Sequence, residues 1–516
     1  MRPTFLGFEA GRRGLAVAQK GLDITGQNLS NIATPGYTRQ RIDQVSVSAY
    51  GITSRSAGNK IGLAGQGVDI TGVSQIRNSY LDRRFREEFG ETYYYQQKVD
   101  ILGDLADVVD QYSEAGSGLT AAVQQISQAL QGLTSDKATD RTSMNILRTA
   151  FQGMVQVLHE SSQKLDKVAE QQKYDLSVAV DDVNSMLTKL ASLNEQIFNE
   201  VALNPSDSNV YKPNELMDSR NLLLDELSKY GDLEVIEQGD GTVTVKLGGK
   251  VVVDGSRAEK LGMIEREGGT VGLVWNSDTE EAHFGSGALK ASVEMINGRG
   301  PDIQSPYESP EKGVMYYKDQ LNTFARTLAS VMNSVLPAEL DEEGNPVKNP
   351  DGSISYKTLF GAQNPDGSVS QTDEITAANI TISAAWADDV SYAFPSLTSK
   401  SNAQYFQKMN DLLMKDKGTV FQTRGQSFTG SFLEFINEVH TTCATEESLY
   451  AGRLEASAAI TDSLLNERDS ISSVSEDEET TNMMTYQKSY QAISRIMTAM
   501  DEMLDVVINQ MGLVGR

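Results

Sequence analysis

The sequence is short of the residues that most catalytic and binding chemistry requires. Its 516 residues include one cysteine, Cys443, and three histidines, His159, His283 and His440, far apart along the chain. A single thiol excludes an internal disulfide, so packing alone must hold the fold. His440 and Cys443 share a spacing that puts them on one helical face, but two ligands do not make a zinc site, and a buried cysteine beside a surface histidine is the plainer reading. Asp351-Gly352 lacks the remaining spacing of a calcium loop. No phosphate-cradling glycine loop or nucleophile elbow is present. No enzyme activity, metal or cofactor is expected. There is also no apolar run of about 18 residues, so no membrane-spanning helix is expected. Glu9, Arg12 and Arg13 interrupt the first residues before a signal peptide's apolar core can form. Positive charge is scarce as well, with 45 Lys and Arg against 71 Asp and Glu and a net charge of −26. That balance opposes nucleic acid and anionic membranes as partners, and the cluster Arg12, Arg13, Arg39 and Arg41 is too sparse to reverse it.

What the sequence does have is two ends that match each other. Phe8, Leu15, Leu22 and Leu29 recur every seven residues, with Gly11, Ala18, Thr25 and Ile32 three places on. At the other end Tyr486, Ile493, Met500 and Val507 repeat at the same period, flanked by Tyr490, Ile496, Met497, Met503, Leu504 and Met511. A period of 3.5 keeps one seam facing a partner helix, as in a coiled coil. The partner is the opposite end, a neighbouring copy, or both. For an arbitrary chain such stripes are more often the core of a monomeric bundle. Helices of this kind are marginal alone, and each exposed Leu or Met forgoes roughly 1.5–3 kcal/mol of burial. Both ends are therefore expected to be largely disordered in the free subunit and to fold on docking.

Between the ends the pattern is nested. A first helix is expected over Leu6–Asn31, stopped by Thr34-Pro35-Gly36-Tyr37. Residues 42–74 read as extended connectors, and helix returns from Ser79 to Glu200 with breaks near Gly116 and Gly132. Asn204-Pro205-Ser206-Asp207 reads as a turn and Glu215–Tyr230 as a helix whose inner face is Leu216, Leu223, Leu224 and Leu227. The period then falls to 2, placing strands at 233–236, 242–247, 250–253 and 271–275 in one small antiparallel sheet, with Asp240-Gly241 as a hairpin signal. Helices are expected at 287–297, 314–336, from Gln404 onward and over 432–471. The segment 337–400 is polar, with turns at Asn349-Pro350-Asp351-Gly352 and Asn364-Pro365-Asp366-Gly367. The run Glu476-Asp477-Glu478-Glu479 opens the last helix, where negative charge suits the dipole, or is simply a solvated patch. The expected fold is mainly α with β-rich inserts: terminal helices paired as a coiled coil, a helical-bundle middle domain and an outer antiparallel β domain. The corresponding divisions are 1–60 with 474–516; 61–230 with 310–336 and 400–473; 231–309; and 337–399. No solenoid-period repeat is evident.

Two segments carry a family resemblance. Asn28-Leu29-Ser30-Asn31-Ile32-Ala33-Thr34-Pro35-Gly36-Tyr37-Thr38-Arg39-Gln40 resembles the N-terminal motif of the axial proteins of the bacterial flagellum, the rod, hook and hook-associated subunits. Glu478-Glu479-Thr480-Thr481-Asn482-Met483-Met484-Thr485-Tyr486-Gln487-Lys488-Ser489-Tyr490-Gln491-Ala492, with the heptads to Met511, is similar to their C-terminal motif. Together they cover under a fifth of the chain. The Tyr-Thr-Arg-Gln ending, Gly65-Gln66-Gly67-Val68-Asp69-Ile70 and the segment from Arg77 to Arg86 resemble the hook-associated branch. Gly287-Ala288-Leu289-Lys290-Ala291 resembles a motif of that branch with an altered glycine-rich centre. The glycine-rich segment usual in hook and rod proteins is not found.

The resemblance implies a structural subunit joining hook to filament, or else another axial subunit such as the hook protein or the third hook-associated protein. It implies an extracellular place in the flagellum, reached in an unfolded state through the type III apparatus without a cleaved signal. Implied partners are copies of itself, the hook protein, the next hook-associated protein and an export chaperone, with no nucleic acid and no membrane insertion. The candidate subunit-interface residues are Leu15, Leu22, Asn28, Leu29, Asn31, Ile32, Tyr37, Arg39, Tyr486, Tyr490, Ile493, Ile496, Met500, Met503, Leu504 and Val507. Singly, Asn28, Asn31 and Thr34 fit local capping, whereas Tyr37 and Arg39 suit interface anchors. A peripheral membrane scaffold with amphipathic ends and an enzyme housed in the β insert are the readings from other classes.

Overall fold

The computed structural model describes residues 6–47, 67–113, 118–133, 137–203, 212–276, 280–339, 341, 345–348, 354–370, 374–393 and 399–510. The turns expected at 204–207 and 349–352 lie outside these residues, as do Gly65, Gln66 and Met511.

The chain opens with α1 (Leu6–Ser30), β1 (Gln40–Ser46), β2 (Val68–Gln75), α2 (Ser79–Ser113), α3 (Leu119–Gly132), α4 (Arg141–Leu203) and α5 (Asn214–Leu227). Six strands follow: β3 (Leu233–Glu237), β4 (Val243–Leu247), β5 (Lys250–Asp254), β6 (Arg257–Ala258), β7 (Leu261–Glu265) and β8 (Val271–Trp275). Then come α6 (Ala288–Ile296), α7 (Val314–Asn333), β9 (Phe360–Gln363), β10 (Val369–Ser370), β11 (Ile380–Ile382), α8 (Ala384–Asp388) and α9 (Ser399–Met414). The chain closes with β12 (Val420–Thr423), β13 (Gln426–Thr429), α10 (Phe432–Ser472) and α11 (Glu476–Asp505), the last running into a π-helical turn, Val506–Gln510. The fold is mainly helical with small antiparallel sheets, as expected.

Two compact units divide the chain. One holds residues 1–91, 182–260 and 457–516, the other 92–181 and 261–456. Three helices, α2, α4 and α10, give part of their length to each. The long α4 shows why a helix can persist so far: Met144, Leu147, Phe151, Met154 and Leu158 recur at alternating three- and four-residue steps, all buried. That stripe always faces inward.

In the first unit β1 and β2 pair antiparallel, with an irregularity between Asp43 and Gln44. Strands β3 to β6 form a four-stranded antiparallel meander. Along β4, Val243, Val245 and Leu247 are buried and Thr244 and Lys246 are not, the period-2 signature of a half-covered sheet. Asn194 of α4, fully buried, donates to the carbonyls of Val243 (2.8 Å) and Gly255 (3.1 Å) and accepts from Val243 N. On α5, Leu224 and Leu227 are buried, and Leu216 and Leu223 are half-buried.

In the second unit one apolar core joins α2, α3, α4, α7, α9 and α10, with Phe151 meeting Phe360 and Trp386 edge-on at 5.3 and 5.7 Å. Here β7 and β8 make their own two-stranded sheet. The segment 233–275 therefore forms two sheets, not the single one expected, because pairing ends at Ala258 and Leu261 starts a new partnership. The hairpin β12–β13 interrupts a stretch read as helix; Arg424 (φ 46°) and Gly425 (φ 100°) supply its two-residue left-handed turn.

A buried cation ties this unit together. Lys98 is fully buried, with its Nζ 3.1 Å from Glu294 and 3.2 Å from Glu311 and lying over the rings of Tyr94 and Tyr450. The Tyr94 and Tyr450 hydroxyls donate to the same two carboxylates at 2.7 and 2.6 Å. Removing one member of such a cage strands the others. Lys98→Met is expected to destabilise the protein by about 3–5 kcal/mol, read as a lower urea midpoint for unfolding.

Candidate subunit interface

Helices α1 and α11 pack along each other in the first unit. Their seam is made of small residues on one side and large ones on the other. On α1, Gly7, Gly11, Gly14 and Gly21 face Met500, Met497, Ile493 and Tyr486 of α11 in turn. A Cβ at Gly14 would lie 2.9 Å from Ile493, and one at Gly21 2.6 Å from the Tyr486 ring. Ala18, Thr25 and Asn28 continue the α1 row and are buried. The α11 row of Glu479, Asn482, Tyr486, Ser489, Ile493, Met497, Met500 and Leu504 keeps three- and four-residue steps, and all but the buried Glu479 are half-buried.

The phase of the seam on α1 differs from the one read in the sequence. Gly11, Ala18 and Thr25 lie on it, but the row Phe8, Leu15, Leu22 and Leu29 sits one position beyond. Leu15, Leu22 and Leu29 are half-buried, and Ile32 lies past the end of α1 and is exposed. Glycine carries no hydrophobic signal, so the leucines dominate the pattern while the glycines make the close approach. The π-helical turn and the flanks of the α11 seam leave Tyr490 (41%), Ile496 (54%), Met503 (61%) and Val507 (50%) exposed.

At one end of this pair the two family motifs lock together. Asn28 is 1% exposed. Its Nδ2 donates to Gln40 O at 2.9 Å and to Glu479 Oε2 at 3.1 Å. Its Oδ1 accepts from Tyr37 OH at 2.9 Å and from Gln40 N at 3.0 Å. Arg39 donates to Glu479 Oε1 at 2.8 Å and pairs also with Glu478, while its backbone N–H donates to Ser472 O. Of the four acids opening α11, Glu476, Asp477 and Glu478 are exposed, and Ser475 caps the helix. The run thus serves as dipole partner, solvated face and, through Glu479, buried anchor.

The turn that brings Tyr37 and Arg39 round depends on Gly36, whose φ of 78° disfavours other residues. Thr38 N donates to Asp218 Oδ2 at 3.2 Å, and Gln75 Nε2 to Asp218 Oδ1 at 2.8 Å. Burial pushes the Asp218 carboxyl up to about 6 and, together with nearby Asp218, Glu215 and Glu479, raises the Tyr37 phenol far above its usual range. Asn31 and Thr34 stay local: Asn31 donates to Gln27 O, and Thr34 Oγ1 donates to Asn31 Oδ1. Asn28 is therefore more than the local cap its type suggested. The sequence marks Glu479 only as part of the acidic run and the C-terminal motif, and Asp218 there is one carboxylate among many.

Nothing comparable gathers around the rarer residues. His440 engages Asp110 at 3.0 Å, His159 approaches Ile380 O at 2.8 Å, and His283 is exposed. Cys443 is buried, and burial pushes its thiol up to about 11, opposite to the activation a nucleophile needs. Among the described residues no group of three or more His, Cys, Asp or Glu is placed to hold a metal, and no helix is long and apolar enough to cross a membrane.

Ends that close on each other through paired motifs, beside apolar side chains left in the open, suit a structural subunit that assembles with others. Residues 105–349 match the family described as the flagellar hook-associated protein FlgK helical domain, and residues 467–511 match that of the flagellar basal body rod FlgEFG protein C-terminal. The flagellar hook-associated protein 1 of Bacillus subtilis is 28% identical over 541 aligned positions covering all of both chains. The proteins of the same description from Escherichia coli and Salmonella typhimurium are each 28% identical over 256 residues, 49% of this chain and 43% of theirs. The solved flagellar hook junction protein FlgK of Burkholderia pseudomallei covers 54% of this chain and 46% of its own, with 19% identity and a TM-score of 0.42. The chain is thus similar to flagellar hook-associated protein 1, a structural flagellar protein.

Asn28→Ala is expected to cost about 1–3 kcal/mol and to abolish exchange protection of the Gln40 amide. Asn31→Ala, which loses exposed local bonds only, should stay within about 0.5 kcal/mol. Asp218 has a folded pKa raised from 3.8 to about 6. Its contribution to stability is therefore fully present below about pH 4 and is lost as pH rises through about 6. Carboxyl NMR should find its midpoint near 6, and Asp218→Asn should flatten the pH dependence in that window.

Proposed function

We propose that this chain is the subunit that joins the flagellar hook to the filament, built into a tube through its paired ends. The observation that carries the reading is the lock between the first motif and the opening of α11. It holds α1 and α11 side by side while Tyr490, Ile496, Met503 and Val507 stay open on their flanks and Leu15 and Leu22 stay half-buried. An apolar flank of this kind gains by burial against neighbours.

In this reading α1 and α11 wind as a coiled coil, and copies of the pair line the tube. Asn28, Tyr37 and Arg39 orient the pair, and the flanking side chains make the subunit contacts. Residues 1–60 with 474–516 act in polymerisation, and 61–230 with 310–336 and 400–473 form the lateral helical bundle. Segments 231–309 and 337–399 face outward. The partners are further copies, the hook protein below, the next hook-associated protein above, and an export chaperone beforehand. Export proceeds unfolded and without a cleaved signal; a lone thiol, which cannot cross-link internally, suits that route. The ends order fully only on docking.

Deleting the gene should leave hooks that form but shed filament protein into the medium, with immunogold on wild-type cells marking a thin band at the hook's end. Label along the whole hook would point to a hook-protein role instead. In the deletion strain, Ile496→Asp and Met503→Asp should fold like wild type, since both side chains are exposed, yet fail to restore motility. Full rescue by the double variant would remove the flanks from the interface.

A further inference from the structure

The first unit contains a cavity of about 980 Å³ lined by the start of α2, by α5 and by the turn between β3 and β4. Its wall carries five cationic side chains, Arg77, Arg83, Arg86, Lys212 and Arg220, against three carboxylates. In a chain of net charge −26 this is a local reversal of sign.

The carboxylates neutralise it only in part, and Arg83 pairs along its own helix with Glu87 at 3.3 Å. Asp82 is taken by Arg77 through two bonds of 2.8 and 3.1 Å, and Asp240 by Thr242. Glu237, the third, draws on Arg220 only through its charge. Behind the wall one carboxylate serves two guanidiniums, with Asp225 Oδ1 accepting from Arg86 and Oδ2 from Arg468, both at 2.7 Å. Arg220 has no carboxylate among its hydrogen bonds and donates instead to the carbonyl of Gly241 at 2.7 Å. Arg86 and Arg220 are 92% and 95% buried (8% and 5% exposed), yet Arg86 Nη2 and Arg220 Nε have no hydrogen-bond partner among the described residues. Asn214 Oδ1, on the same wall, is likewise unpartnered. Burial, with repulsion from Arg86 and Arg77 against the pull of Glu237, brings Arg220 down to about 10.

Leaving a buried guanidinium N–H unanswered is costly, and the group that answers it best is a planar or tetrahedral oxyanion. We infer that this cavity is an oxyanion-binding pocket in which Arg86 and Arg220 are the principal donors and Arg77 and Lys212 add field. The same chemistry is offered by free phosphate and by the carboxylates of a docked acidic segment. The cavity is many times larger than one phosphate, so the segment is the better match to its size. The pocket stands independently of the hook–filament reading.

The test uses the full chain labelled with ¹⁵N-arginine, titrated with inorganic phosphate and separately with hexaglutamate, each against sodium chloride at equal ionic strength. Phosphate or hexaglutamate should shift the Arg86 and Arg220 side-chain signals and raise the melting temperature beyond the chloride control. The dissociation constant should rise about tenfold in Arg220→Gln, the loss of one charge-assisted hydrogen bond. Tighter binding of hexaglutamate than of phosphate identifies the docked segment as the source, and the reverse identifies the free anion. Should Arg220→Gln fail to fold, the wild-type arginine signals decide alone. Shifts no larger than chloride produces, or shifts that spare Arg86 and Arg220, overturn the pocket.

Discussion

The structure of the terminal unit depends on one buried amide. Asn28 uses both hydrogens and both lone-pair positions of its side chain, joining the end of α1, the returning strand and the first turn of α11. A fully satisfied buried polar group fixes register, because every displaced arrangement leaves one of its bonds unmade. Around it Arg39 and Glu479 form an ion pair whose carboxylate is 3% exposed, between residues far apart in sequence. The apolar seam supplies attraction without direction, and this cluster supplies the direction.

The second unit solves the same problem with a cation. Lys98 in its cage of two tyrosines and two carboxylates joins α2 to α6, to the residues before α7 and to α10. Both units therefore place a polar specifier within an apolar body, and in both cases the residues concerned lie far apart along the chain. This arrangement suits a subunit that must fold in one way only.

Much of this was legible in the sequence, for physical reasons that differ by element. The limits of α1 and α11 follow from Pro35-Gly36 and from the acidic run after Ser475, since stop and start signals are local. The strands β3, β4, β5 and β8 follow from alternation between glycine turns. The hairpin β12–β13 is not legible because four-residue strands between two helices give too short a pattern to outweigh their surroundings. The phase of the α1 seam is not legible because the leucines carry the hydrophobic period and the glycines carry none. Glu479, Asp218 and the pair Arg86 and Arg220 acquire their roles only from long-range contacts, which no periodicity encodes.

The glycines of α1 have a consequence for how the two helices tolerate change. A Cβ at Gly21 would meet the rigid Tyr486 ring, so a replacement there pushes the partner helix away, whereas Gly7, Gly11 and Gly14 face the outer atoms of Met500, Met497 and Ile493, which can shift. Opposite them Met497 and Met500 are unbranched and adaptable, and a neighbouring aliphatic can stand in for either at small loss. Variation in this joint should therefore be uneven: Gly21 held fast against an aromatic ring, and the positions around the two methionines free to drift among greasy residues of similar bulk.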